Sequence, residues 1–79
     1  MPSGRMSARF IANHLGMTPR SVYETWKQMG FVTQDSHGFW GLTDAGKKIN
    51  GRYSKSGGVP TFNYEEIVPL MKAFFTHQN

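Results

Sequence analysis

The sequence predicts a mostly α domain carrying one small β-hairpin. Three observations lead there. Two capped helical segments are separated only by Gly16-Met17, two short aromatic runs flank the polar turn Asp35-Ser36-His37-Gly38, and a late apolar segment from Ile67 to Phe75 has helical spacing. The 79 residues fit one small domain, and the absence of cysteine excludes disulfides, thiolate metal sites and thiol catalysis. A chain of this size buries only about 60% of its unfolded surface, so its core is marginal. No stretch approaches the roughly 18 consecutive apolar residues of a membrane span. Met1-Pro2-Ser3-Gly4-Arg5 has no apolar run behind its charge, so no secretory signal is expected.

Residues 6–30 hold the first two helices. Ala8, Ile11, Ala12 and Leu15 follow the i, i+3, i+4, i+7 spacing of one buried face, with Ser7 as N-cap and Gly16 as stop. In the second helix, residues 19–29, Thr18 caps and Pro19 takes the first helical position, where its missing N–H costs nothing. Gly30 supplies the left-handed terminator, and Val22, Trp26 and Met29 form the buried stripe. So short a connection requires the two helices to cross sharply.

Residues 31–42 read as the hairpin, Phe31-Val32-Thr33-Gln34 pairing with Phe39-Trp40-Gly41-Leu42. Residues 43–50 read as a short helix capped by Thr43, with Leu42, Ala45 and Ile49 on one side and Asn50-Gly51 at its end. Residues 51–62 read as a loop that is flexible at Ser54-Lys55-Ser56-Gly57-Gly58 and extended over Val59-Pro60-Thr61-Phe62. Residues 63–76 read as a last helix with Ile67, Leu70, Met71, Phe74 and Phe75. Asn63 and Glu66 have capping-box spacing at its start. Pro69 conflicts with a start at Tyr64, because it deletes a hydrogen bond and crowds the preceding turn. The helix is therefore expected to begin nearer Val68 or to kink there.

The charge of +4 and pI near 9.8 favour a polyanionic partner, most often nucleic acid. Residues 1–34 carry Arg5, Arg9, Arg20 and Lys27 against Glu24. Residues 35–58 carry Lys47, Lys48, Arg52 and Lys55 against Asp35 and Asp44, whereas Lys72 faces Glu65 and Glu66 in the remainder. A polyanion is expected on the first two-thirds.

The segment Phe10-Ile11-Ala12-Asn13-His14-Leu15-Gly16-Met17-Thr18-Pro19-Arg20-Ser21-Val22-Tyr23 resembles the helix–turn–recognition-helix segment of the winged helix–turn–helix family. Met29-Gly30-Phe31-Val32 resembles that family's step into the wing, and Leu42-Thr43-Asp44-Ala45-Gly46 its LTxxG segment. The resemblance covers about residues 7–50. Residues 51–70 are more loosely similar to the tails of small phage and prophage regulators. The family usually has a full helix before the helix–turn–helix, whereas six residues precede Ser7 here. The C-terminal helix is expected to cover that flank, within the chain or from a second subunit of a homodimer.

The resemblance implies a DNA-reading face made by Thr18, Arg20, Ser21, Tyr23, Glu24, Lys27 and Gln28, which point away from the Val22/Trp26/Met29 stripe. Arg20 is suited to guanine and Gln28 to adenine. Thr18 and Ser21 sit where hydroxyls and free helix N–H groups meet phosphate. Glu24 either accepts from cytosine or pairs along the helix with Lys27 or Gln28. Ser36 and His37 belong to the wing tip, and Lys47, Lys48, Arg52 and Lys55 are candidate phosphate contacts, although exposed cations are often only solvated. His14, His37 and His77 lack metal-ligand spacing, Gly57-Gly58 lacks a phosphate-loop pattern, and no nucleophile stands beside a base. No metal, cofactor or catalysis is expected.

The expected function is double-stranded DNA binding by a cytoplasmic phage or bacterial transcriptional regulator, as a dimer on two half-sites. The alternative is a winged-helix protein-interaction module that docks on host machinery. RNA binding is a weaker third reading, with Tyr23 and Tyr53 the only candidate stacking platforms.

Overall fold

Ala8, Ile11 and Ala12 are fully buried on one face of α1 (Ala8–Leu15), which ends at Gly16 with φ 68°. Val22 and Trp26 do the same for α2 (Pro19–Gln28), so the two predicted apolar stripes meet across the short turn. The computed structural model describes residues 4–55 and 57–77; the readings placed on Met1–Ser3 and Ser56 lie outside them. Ahead of α1 runs β1 (Arg5–Ser7). After α2 come β2 (Val32–Gln34), β3 (Trp40–Leu42), α3 (Asp44–Lys48), β4 (Arg52–Tyr53), β5 (Pro60–Asn63) and α4 (Tyr64–Thr76).

The expected hairpin is β2–β3, antiparallel with Val32 opposite Leu42 and Gln34 opposite Trp40. A second antiparallel sheet, ordered β1-β5-β4, was not foreseen. It pairs Met6 with Phe62 and Arg52 with Thr61. The sequence reading of 51–62 as a loop is thereby corrected, apart from its extended end. Ser54 closes the turn between β4 and β5: its carbonyl accepts from Gly58 N–H at 3.0 Å and its hydroxyl from Gly57 N–H at 3.1 Å. Pro60 is tolerated as the first residue of its strand. Strands of two to four residues carry too little periodicity to be read locally.

Trp26 lies at the centre of the core. Its indole meets Phe62 edge-on with centroids 4.7 Å apart, and its Nε1–H donates to Met71 Sδ at 3.3 Å. Ile67, Val68 and Met71 of α4 are buried in this same core, so the C-terminal helix packs within its own chain. Of the apolar residues read into this helix, Leu70 and Phe75 stay 40% and 41% exposed, whereas the neighbouring Val68 is buried. Ala45 is also corrected. It is exposed, and Gly46 faces inward, where a Cβ would overlap the Phe31 carbonyl oxygen.

α4 begins at Tyr64, not nearer Val68, and runs through the exposed Pro69. Tertiary anchors hold its first turn against the lost hydrogen bond. Tyr64 N–H donates to the Gly4 carbonyl at 2.9 Å, and Gly4 N–H donates to the Glu65 carboxylate at 2.7 Å. The Asn63–Glu66 capping box does not form, because the Asn63 side chain makes no cap bond. The Glu66 carboxylate instead accepts from the side-chain amides of Asn63 at 2.8 Å and Asn50 at 3.1 Å. These bonds, with a smaller contribution from the Arg5 charge, hold the Glu66 carboxyl below its ordinary range. No helix among the described residues is long and apolar enough to cross a membrane.

Candidate nucleic-acid interface

The first turn of α2 is held by its own side chains. Thr18 Oγ1 accepts from Ser21 N–H at 3.1 Å, Ser21 Oγ accepts from Thr18 N–H at 3.1 Å, and the Ser21 hydroxyl donates to the Thr18 carbonyl at 2.9 Å. This reciprocal cap engages both hydroxyls that the sequence offered to phosphate. Pro19 then occupies the first helical position.

Beyond the cap, Arg20, Lys27 and Gln28 are exposed, while Glu24 is half-buried. Tyr23 departs from the expectation that it points away from the buried stripe. Its ring stacks on Trp40 of β3, with centroids 5.0 Å apart and planes within 4°, and meets Trp26 edge-on at 5.7 Å. Burial pushes the Tyr23 phenol pKa up. The reason is tertiary: the hairpin folds back onto α2 and takes Tyr23 for packing. The stack also ties the hairpin's orientation to the helix.

The hairpin tip is an Asx-type turn. Asp35 Oδ1 accepts from His37 N–H at 2.8 Å and Phe39 N–H at 2.9 Å, and Asp35 N–H donates to the Phe39 carbonyl at 2.9 Å. Gly38 has φ 88°, which the turn requires, and its carbonyl accepts from Gln34 Nε2 at 2.9 Å. Ser36 and His37 are exposed on this tip, as expected. So is Phe39, which the sequence places in the hairpin strand. It is 72% exposed, more than any other large apolar side chain among the described residues. Alternation carried the signal, because Leu42 and Trp40 face inward and Phe39 therefore has outward parity.

Lys47 and Lys48 are exposed on α3. That helix is clipped to the end of α2 by Thr43, whose hydroxyl donates to the Gly30 carbonyl at 2.6 Å and accepts from Gly46 N–H at 3.1 Å. Thr43 N–H adds a bond to the Phe31 carbonyl at 3.1 Å. The second sheet joins through Tyr53, whose hydroxyl accepts from Leu42 N–H at 2.8 Å on the outer edge of β3. Arg52 and Lys55 are exposed beside it. Helix, hairpin, α3 and second sheet thus form one connected frame for the basic side chains. Among the described residues no three His, Asp or Glu side chains converge on a possible metal position.

Comparison of the chain with protein-family models, with curated proteins and with solved structures returns no match.

Proposed function

We propose that this chain binds double-stranded DNA as a winged helix–turn–helix protein, with α2 in the major groove and the β2–β3 hairpin as the wing. The observation that carries the reading is the Tyr23–Trp40 stack. It makes α2 and the hairpin one body that presents Arg20, Lys27 and Gln28 together with Ser36 and His37 of the tip. On this reading Arg20 and Gln28 contact base edges, and Lys27, Lys47 and Lys48 contact phosphates. Thr18 and Ser21 shape the helix start, with their cap hydroxyls already engaged. The task that fits is transcriptional regulation of the phage or bacterial type, inside the cell.

The test is a titration against random duplex DNA at several salt concentrations. If about six phosphates are neutralised, log K against log salt falls with a slope of roughly −5. Joint Arg20→Ala and Lys27→Ala substitution should abolish binding. No binding by the unsubstituted protein at about 50 mM salt would overturn the proposal, because the non-specific electrostatic contribution is detectable there.

A protein-docking role is the second reading. The half-exposed Leu70 in the middle of α4 and Phe75 near its end favour it, as they also favour a homodimer. Sedimentation at several concentrations reads out the dimer directly.

A further inference from the structure

We propose that Phe39 is a wedge that enters a base step of duplex DNA from the minor groove and unstacks it, giving the protein a DNA-kinking activity. The inference rests on the duplex-binding reading and adds to it a mechanical role that α2 cannot perform.

Exposure comes first. Phe39 is 72% exposed at a tip whose neighbours Ser36, His37 and Gly38 are polar or lack a side chain. The core has no use for the ring, because Trp40 packs on Tyr23 and Leu42 is buried on the opposite parity. The next outward position is Gly41, so no side chain of β3 flanks Phe39 on that face.

The ring is also carried on a rigid support. Both backbone polar groups of Phe39 are bonded to Asp35, the N–H to its carboxylate and the carbonyl to its N–H, each at 2.9 Å. Gln34 braces the same turn through the Gly38 carbonyl. A ring on a braced turn loses little conformational freedom on insertion. The Asp35 oxygen that accepts both turn N–H groups is directed into the turn rather than at the DNA.

Direction adds to this. Phe39 stands on the face of the hairpin opposite Trp40, whose ring packs on α2, so the Phe39 ring projects away from the body of the domain into solvent. A minor groove about 7.5 Å deep is entered from that face. Apolar side chains inserted in this way unstack a step and bend the duplex towards the major groove by about 20–90°. Pyrimidine–purine steps, which unstack most readily, are the expected target.

The experiment uses a duplex of about 30 base pairs, near the length over which such bends are scored. It carries 2-aminopurine at a TA step and a donor–acceptor dye pair at its ends. Binding of the unsubstituted protein should raise 2-aminopurine fluorescence and bring the ends closer. Phe39→Ala should bind with the same salt slope and lose both signals, and Phe39→Leu, an apolar wedge, should keep them. Because the side chain is exposed, all three proteins should melt at the same temperature. Binding without unstacking, or unstacking that survives Phe39→Ala, overturns the wedge and leaves duplex binding intact. Absence of duplex binding overturns both readings.

Discussion

Gly51→Ala tests the packing beneath the basic frame. Gly51 is buried just after α3, and its N–H donates to the Gly46 carbonyl at 2.9 Å. A Cβ placed there would lie 2.6 Å from that carbonyl oxygen, 2.8 Å from Leu42 Cδ2 and 2.8 Å from Phe62 Cε1. Each contact is shorter than the 3.0 Å that real Cβ atoms respect. The three neighbours belong to α3, the hairpin and the second sheet, so no single rotation relieves them. Phe62 is fully buried and wedged against Trp26 and Phe31, and it can retreat only by disturbing the core. Overpacking of this kind costs about 1–3 kcal/mol. Loss of glycine's freedom in the unfolded chain offsets about 0.4–1 kcal/mol. The net loss is about 1 kcal/mol, which for a domain of 60–100 residues lowers Tm by about 4–8 °C. Thermal and urea unfolding followed by circular dichroism reads this out. Gly57→Ala is the control, because its Cβ would meet only Ser54 Oγ at 3.5 Å, and its Tm should barely move. A Gly51→Ala protein that melts at or above the unsubstituted temperature would refute the packing described here.

Three further outcomes are expected. Met71→Ala should destabilise the domain by about 2–5 kcal/mol in urea unfolding, since it opens a cavity and removes the acceptor of the Trp26 indole N–H. An unchanged midpoint would mean that α4 does not seat on Trp26. Tyr53→Phe deletes the acceptor of Leu42 N–H and should cost about 1–3 kcal/mol, with amide exchange at Leu42 accelerated. Glu66 has a folded pKa below its ordinary value of 4.5, so its stabilisation is full above that pH and lost as pH falls through the lower folded value. Glu66→Gln should therefore narrow the difference in urea midpoint between neutral and strongly acidic pH; an unchanged difference would remove Glu66 from the acid limb.

Local chemistry was legible wherever one segment contained its own explanation. Thr18-Pro19 opens α2, Gly16 and Gly30 close their helices, and Asp35 to Gly38 turn the hairpin, because capping and turn formation involve groups only a few residues apart. The placement of Arg20, Lys27 and Gln28 on an exposed helix face followed from the same periodicity. Ser36, His37, Lys47 and Lys48 are likewise exposed where the sequence places them.

What helical spacing could not show was which neighbours would arrive. Tyr23 has the spacing of a reading residue, yet Trp40 claims its ring. Ala45 looks like a core residue, but the Phe31 backbone passes so closely that only Gly46 fits inward. The Pro69 conflict was resolved by Gly4, which anchors the start of α4 from the other end of the chain. In each case the deciding partner is distant in sequence, and no local pattern encodes a contact whose other half lies on another element. The sequence alone therefore determined where α1, α2 and the hairpin turn begin and end, and which side chains were candidates to face outward. The tertiary structure decided which of them remain outside, because burial against distant elements outweighs local propensity once the core closes.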